Sequence, residues 1–241
     1  MSILTKIKEK QADIFNASPI TVVFLGDSVT QGCFELYKTS PTTLNTVFDY
    51  NNAFSTKFKQ MLNLLYPSVQ INVINSGISG DNATGGLARM ERDVLKYSPD
   101  LVVVGFALND STKGLDKLEG YKTAMQEIIT KVKTIDAECI LLTPNMMNTY
   151  VSYRVTDEMI KGVAEKCMTI QNEGVLDKYV EVLRMIGKEN GVKVCDVYAK
   201  WKDMHNAGID TTELLSNYAN HPIRELHTLT ATMLIDTIFE D

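Results

Sequence analysis

The chain has 241 residues, 44% of them apolar and 22% charged, with a formal net charge of −6. That length suits one α/β domain with a large core, and the composition is ordinary for a globular protein. The acidic balance, with no run of Lys or Arg, argues against a nucleic-acid or anionic-membrane surface.

The first ten residues lack the apolar segment of a signal peptide. No apolar stretch approaches the ~20 residues that cross a bilayer. A cytoplasmic protein without membrane contact is expected. The first apolar run, residues 21–25, reads as a buried strand and stops at Gly26-Asp27-Ser28. A long connection, 31–51, follows, and then a helix is predicted at 52–65, with Pro67 as its stop signal. A strand at 70–74 leads through a Gly-rich loop into a helix at 83–96, stopped by Pro99. Leu87, Met90, Val94 and Leu95 on that helix have core spacing, and Arg89 and Arg92 read as its solvated face. Strands at 101–106 and 138–142 flank a helix at 118–135. A second long connection runs from 143 to 156. Helical sequence then covers 157–190, broken near Gly174, before a strand at 192–196 and a last helix at 224–239.

Apolar strands alternating with amphipathic helices predict βαβ units, hence a three-layer α/β/α sandwich around a parallel sheet of about five strands. Residues 1–241 are expected to form one domain. The connections 31–51 and 143–156 both follow strands and should emerge at the carboxyl edge of the sheet, as substrate-shaping loops. Cys33, Cys139, Cys167 and Cys195 form no CxxC pair and match no zinc spacing, so core thiols and no metal are expected.

Four segments carry candidate chemistry. Ser28 lies where the first strand ends, and such strand ends face the ligand crevice of an open α/β sheet. Alone, Gly-Asp-Ser is more often a turn or a capping serine. Asp27, Asp81 and Asp110 are read as hydrogen-bond acceptors for loop amides. The segment 75–86 presents Gly80, whose N–H can reach a developing oxyanion without side-chain obstruction. The segment is not GxGxxG, so it is no dinucleotide fingerprint. Asn109 brings an amide to the end of the third strand, although an Asx turn explains it equally well. His221 precedes Pro222, which holds it in extended or loop backbone at the start of the last helix. The only other histidines, His205 and His227, are expected to be surface or packing residues.

Together these segments resemble the SGNH (GDSL-type) hydrolase family, most clearly in Gly26-Asp27-Ser28, Gly77-Ile78-Ser79-Gly80-Asp81 and Asn109-Asp110. The letters of that name map onto Ser28, Gly80, Asn109 and His221. The resemblance implies a flavodoxin-like sandwich and an esterase or acylhydrolase without metal or organic cofactor. It also implies Ser28 as nucleophile, His221 as base, and an oxyanion hole from the N–H groups of Ser28 and Gly80 and the amide of Asn109. The family usually places Asp three residues before the histidine, where this chain has Tyr218. Asn217, a main-chain acceptor, or Asp210 is left to orient the ring. In serine-protease triads the Asp-to-Asn change costs about 10⁴ in rate. The expected substrate is a small acyl or acetyl ester, with acetylated carbohydrates as candidates. Met146, Met147, Tyr150 and Tyr153, and Phe34, Tyr37, Phe48 and Tyr50, either form its wall or pack the two connections onto the core. The alternatives are a degenerate SGNH-fold binding protein and a flavodoxin-like phosphate- or nucleotide-binding domain.

Overall fold

The computed structural model describes residues 2–240. Its centre is a five-stranded sheet of β1 (Ile20–Gly26), β4 (Ile71–Gly77), β5 (Leu101–Gly105), β6 (Glu138–Leu142) and β7 (Lys193–Cys195). A separate antiparallel hairpin, β2 (Cys33–Ser40) with β3 (Thr43–Phe48), stands outside it. The helices are α1 (Ile3–Ala12), α2 (Ser28–Gln31), α3 (Phe54–Leu65), α4 (Ala83–Ala88), α5 (Met90–Asp93), α6 (Leu108–Ser111), α7 (Leu118–Thr134), α8 (Glu158–Asn172), α9 (Val175–Asn190), α10 (Val197–Asn206) and α11 (Arg224–Phe239).

The sheet is parallel throughout, in the order β4-β1-β5-β6-β7. Taken as five successive strands this is the flavodoxin-like order, which reverses between β1 and β5. Helices α1, α3 and α11 cover one face, and α4, α7 and α9 cover the other. The two central strands are therefore buried on both sides, and Val22–Leu25 and Leu101–Val104 read as unbroken apolar runs for that reason. Phe24 meets Phe54 and Phe58 of α3 edge-on, with centroids 5.6 and 5.4 Å away. Each such buried ring contributes about 1.5–3 kcal/mol by leaving water.

The parallel register aligns three glycines at the carboxyl ends of the adjacent strands β4, β1 and β5, because Gly26 pairs with both Gly77 and Gly105. That row leaves room for α2 to fold back onto the strand ends. A Cβ on Gly26 would sit 2.7 Å from the Gly105 carbonyl oxygen, and would also strike Thr30. Asn75 of β4 anchors the same helix by donating to the Thr30 carbonyl at 2.8 Å.

The structure departs from the sequence reading in identifiable places. The connection 31–51 holds the β2–β3 hairpin, whereas 143–156 has no helix or strand. Helices α1 and α10 were not predicted. The helix expected at 83–96 is two short helices and a turn, broken at Arg89 and Val94. Arg89 is no solvated residue, because its guanidinium is buried and donates to the carbonyls of Gly26 (2.9 Å) and Ser76 (2.6 Å). Those oxygens lie at strand ends, where buried acceptors need a donor. Gly174 does break 157–190, in left-handed backbone (φ 72°) between α8 and α9. No helix among the described residues is long and apolar enough to cross a membrane.

Gly26→Ala is expected to cost about 1–3 kcal/mol of stability, because the methyl group overpacks the strand ends. Urea unfolding of the two proteins measures it, and an unchanged midpoint would show that the glycine row has slack.

Candidate active site

Ser28 opens α2 immediately after the turn at the end of β1. Asp27 caps that helix, accepting from the Val29 N–H at 3.0 Å, and Gly32 ends it in left-handed backbone (φ 93°). The chain is thus forced to turn at Ser28, on the edge where the strand order reverses.

His221 reaches this edge from the other end of the sequence. Its Nε2 lies 2.9 Å from Ser28 Oγ, and its Nδ1 lies 2.8 Å from the Phe34 carbonyl oxygen. A carbonyl only accepts, so Nδ1 carries the proton and Nε2 is the bare acceptor facing the hydroxyl. Burial of the ring pushes its pKa down to about 4, against the Phe34 carbonyl and the charge of Glu35, which both favour the protonated form. The imidazole is therefore neutral at neutral pH.

Two loops complete the edge. After β4, Gly80 is exposed in left-handed backbone (φ 78°), a conformation that favours glycine. The N–H groups of Ser28 and Gly80 have no acceptor among the described residues. After β5, Asn109 donates one amide hydrogen to the Asp81 carbonyl at 2.8 Å. That bond ties Asn109 to the residue following Gly80 and leaves a second amide hydrogen available. Ala107 (φ 140°) and Tyr218 (φ 54°) adopt positive φ in the turns that deliver Asn109 and His221. Strain in such turns is held in place by the packing around them.

The ring acceptor is where the sequence reading needs correction. Asn217 does not orient the imidazole. Its Oδ1 is occupied by the N–H groups of Ala219, Asn220 and His221, at 3.0, 2.9 and 2.9 Å. It shapes the loop rather than the ring. Asp210 is also elsewhere, accepting from Tyr150 Oη at 2.7 Å and from the Thr212 N–H at 3.1 Å. The ring acceptor is the main-chain alternative, supplied by β2 of the hairpin. Beside it Arg224 pairs with Glu35 and Asp49, three residues that no motif in the sequence singled out.

The wall candidates divide. Met146, Met147 and Phe34 are buried in the core, whereas Tyr37, Phe48, Tyr50, Tyr150 and Tyr153 are exposed. The 143–156 connection braces the histidine loop through Asn148 N–H to the Ala219 carbonyl and Asn145 to the Asn220 carbonyl, both at 2.9 Å. His227 is a packing residue of α11, accepting from the Phe54 N–H at 3.1 Å. His205 lies at the end of α10 near Thr211. Among the described residues no three His, Cys, Asp or Glu side chains come together as metal ligands.

Asp27, Asp81 and Asp110 accept from backbone N–H groups, of Val29 in α2, Asn82 before α4 and Ala83 at the start of α4, and Asp81 also pairs with Arg89. Asp27 also lines a cavity of about 30 Å³ with Thr30, Thr143, Asn145 and Thr230, room for a water or two but not for an acyl chain. Burial, with Asp110 nearby, raises the Asp27 pKa to about 7. Because this lies above the ordinary carboxyl value, ionisation opposes folding. The contribution is fully favourable below about pH 4 and is lost as pH rises through about 7. Asp27→Asn keeps the cap acceptor without the charge. Its stability relative to the parent should therefore climb between pH 4 and pH 8, read by urea unfolding across that range. A difference independent of pH would place the carboxyl in contact with solvent.

Residues 24–229 match the model of the GDSL-like lipase/acylhydrolase family. The acetylxylan esterase of Geobacillus stearothermophilus is 23% identical over 192 residues, 76% of this chain and 78% of that one. Thioesterase 1/protease 1/lysophospholipase L1 of Escherichia coli K12 is 28% identical over 126 residues, about half of each chain (52% and 51%). A crystal structure of the Geobacillus acetylxylan esterase superposes with a TM-score of 0.67 at 20% identity, covering 93% of this chain and 96% of that one. The lipase/acylhydrolase of Enterococcus faecalis gives 0.63 at 22% identity, covering 91% and 95%. These structures share the sandwich fold. The family match spans β1 to α11 and includes the Ser28 turn, the Gly80 and Asn109 loops and His221, so the chain belongs to the GDSL-like lipase/acylhydrolase family.

Proposed function

We propose that this protein is a serine esterase that hydrolyses small acyl or acetyl esters, acetylated carbohydrates among them, through an acyl-enzyme. The observation that carries the reading is the 2.9 Å contact of Ser28 Oγ with a His221 Nε2 whose proton is held on the opposite nitrogen. A serine hydroxyl is a weak nucleophile without an adjacent base, and this contact supplies one.

In the proposed reaction Ser28 Oγ attacks the ester carbonyl carbon while its proton passes to His221 Nε2. The carbonyl oxygen becomes an oxyanion and is held by the N–H groups of Ser28 and Gly80 and the free amide hydrogen of Asn109. The tetrahedral species collapses, the C–O bond to the alcohol breaks, and Nε2–H protonates the departing alkoxide. Water then attacks the acyl-serine, giving its proton to Nε2. Collapse returns that proton to Ser28 Oγ and frees the acid. Throughout, Nδ1–H stays on the Phe34 carbonyl, which keeps the ring turned the right way.

The similarity to an acetylxylan esterase supports acetyl esters of carbohydrates. The β2–β3 hairpin and the 143–156 connection, in one domain with the sheet, shape the alcohol side, where exposed tyrosines suit sugar faces.

A fluorophosphonate should add one label to the parent protein and none to Ser28→Ala, read by intact mass, with labelling of His221→Ala strongly slowed. A Ser28→Ala protein that still hydrolysed p-nitrophenyl acetate at the parent rate would end the reading. Asn109→Ala should lower kcat by about 10²–10³, as loss of one oxyanion donor does. Because the neutral imidazole is the active form, kcat/KM should stay on its plateau as pH falls through 6.5 and decline only toward about 4. An acid limb at an ordinary histidine pKa would mean that the ring is not buried during turnover.

A further inference from the structure

Resting on the esterase reading, we infer that Arg224 is a positioning residue: with Glu35 and Asp49 it clamps the Phe34 carbonyl onto His221 Nδ1, replacing the triad carboxylate that this chain lacks. The donor and acceptor of that hydrogen bond come from segments 187 residues apart in sequence. Something must hold them in register, and one side chain touches both neighbourhoods. Arg224 begins α11, three residues after His221. Its guanidinium bonds Glu35 through both oxygens, at 2.6 and 3.1 Å, and Asp49 at 2.9 Å. It also lies 4.3 Å from the centre of the Phe34 ring. Phe34 and Glu35 are consecutive on β2, so the clamp grips the peptide carrying the acceptor from both sides. Asp49, just after β3 at the same open end of the hairpin as Phe34, donates its N–H to the Gly32 carbonyl at 2.9 Å.

These ion pairs are partly exposed, with side-chain exposures of 32% for Arg224, 44% for Glu35 and 24% for Asp49. Pairs so exposed contribute little to stability in water. A bidentate fork with a second carboxylate instead supplies direction, which a lysine could not. The cluster has a further consequence. One guanidinium and two carboxylates leave one net negative charge beside a ring that must become an imidazolium in the transition state. A neutral carbonyl alone offers that cation only a dipole. Of the other ionisable groups, His227 of α11 is kept neutral by burial and faces His221, Lys57 of α3 acts on His227, and Arg154 and Asp157 line a groove with Glu35 and Asn217.

The test uses Arg224→Gln, Glu35→Gln and the double variant, with p-nitrophenyl acetate kinetics, pH profiles and fluorophosphonate labelling of the parent. Each single variant should lose about tenfold to 10²-fold in kcat, the scale of a misplaced catalytic group, with KM nearly unchanged. The double variant should lose no more than the worse single one, since the residues act as a unit. The acid limb of kcat/KM should move down in Glu35→Gln, where an anion beside the imidazolium is lost, and up in Arg224→Gln, where a cation is lost. The opposite shifts report the charges beside the ring, whereas a non-additive loss of kcat reports the clamp. Parent kcat in both single variants, additive losses, or limbs moving the same way would overturn the inference. Should Arg224→Gln fail to fold, Glu35→Gln and Asp49→Asn carry the kcat and pH readouts. A labelled parent with fully active variants removes only the clamp, whereas an unlabelled parent removes the esterase reading and the clamp with it.

Discussion

The hydrogen bond from His221 Nδ1–H to the Phe34 carbonyl is the constraint on which the site depends. It settles the tautomer, and the tautomer decides whether Nε2 can accept from Ser28 at all. Because the acceptor is a peptide oxygen, it cannot titrate. It also cannot neutralise the imidazolium as a carboxylate would. The local chain is built around that substitution. Asn217, in place of reaching the ring, collects three backbone N–H groups and closes the loop that presents His221. The hairpin that supplies the oxygen is fastened to the first turn of α11.

The sheet contributes the other half of the geometry. Glycines in register at the ends of β1, β4 and β5 let the turn after β1 fold tightly against its neighbours. Arg89 then donates to the Gly26 and Ser76 carbonyls at those strand ends. Ser28, Gly80 and Asn109 follow three adjacent strands at one edge. A parallel sheet brings such residues together whatever their separation along the chain, which explains how distant motifs share one site.

Most of the scaffold was legible because its signals are local. Strand runs buried on both faces, proline stops after 52–65 and 83–96, and the break at Gly174 each depend on neighbouring residues only. The failures have a physical pattern. The β2–β3 hairpin has irregular pairing, with register shifts near Cys33–Leu36 and Lys38–Ser40, so it lacks the clean alternation that marks a strand from sequence. Arg89 reads as solvated because the Gly26 and Ser76 carbonyls and the Asp81 carboxylate that bury it come from outside its helical segment. Met146 and Met147 fit a wall or the core equally from sequence, because an irregular segment gives no periodicity from which to assign the buried side; they take the core.

What the sequence determined by itself was the alternation of strands and helices and the order of the Ser28, Gly80, Asn109 and His221 blocks. These depend on side-chain identity and near-neighbour spacing, and both are written in the chain. What only the tertiary structure decided was the partner of the histidine ring and the reach of Arg224 to Glu35 and Asp49. Every residue carries a carbonyl, so its identity cannot reveal which one will accept the ring's hydrogen bond. That choice is made when a hairpin from the first quarter of the chain packs against the last helix.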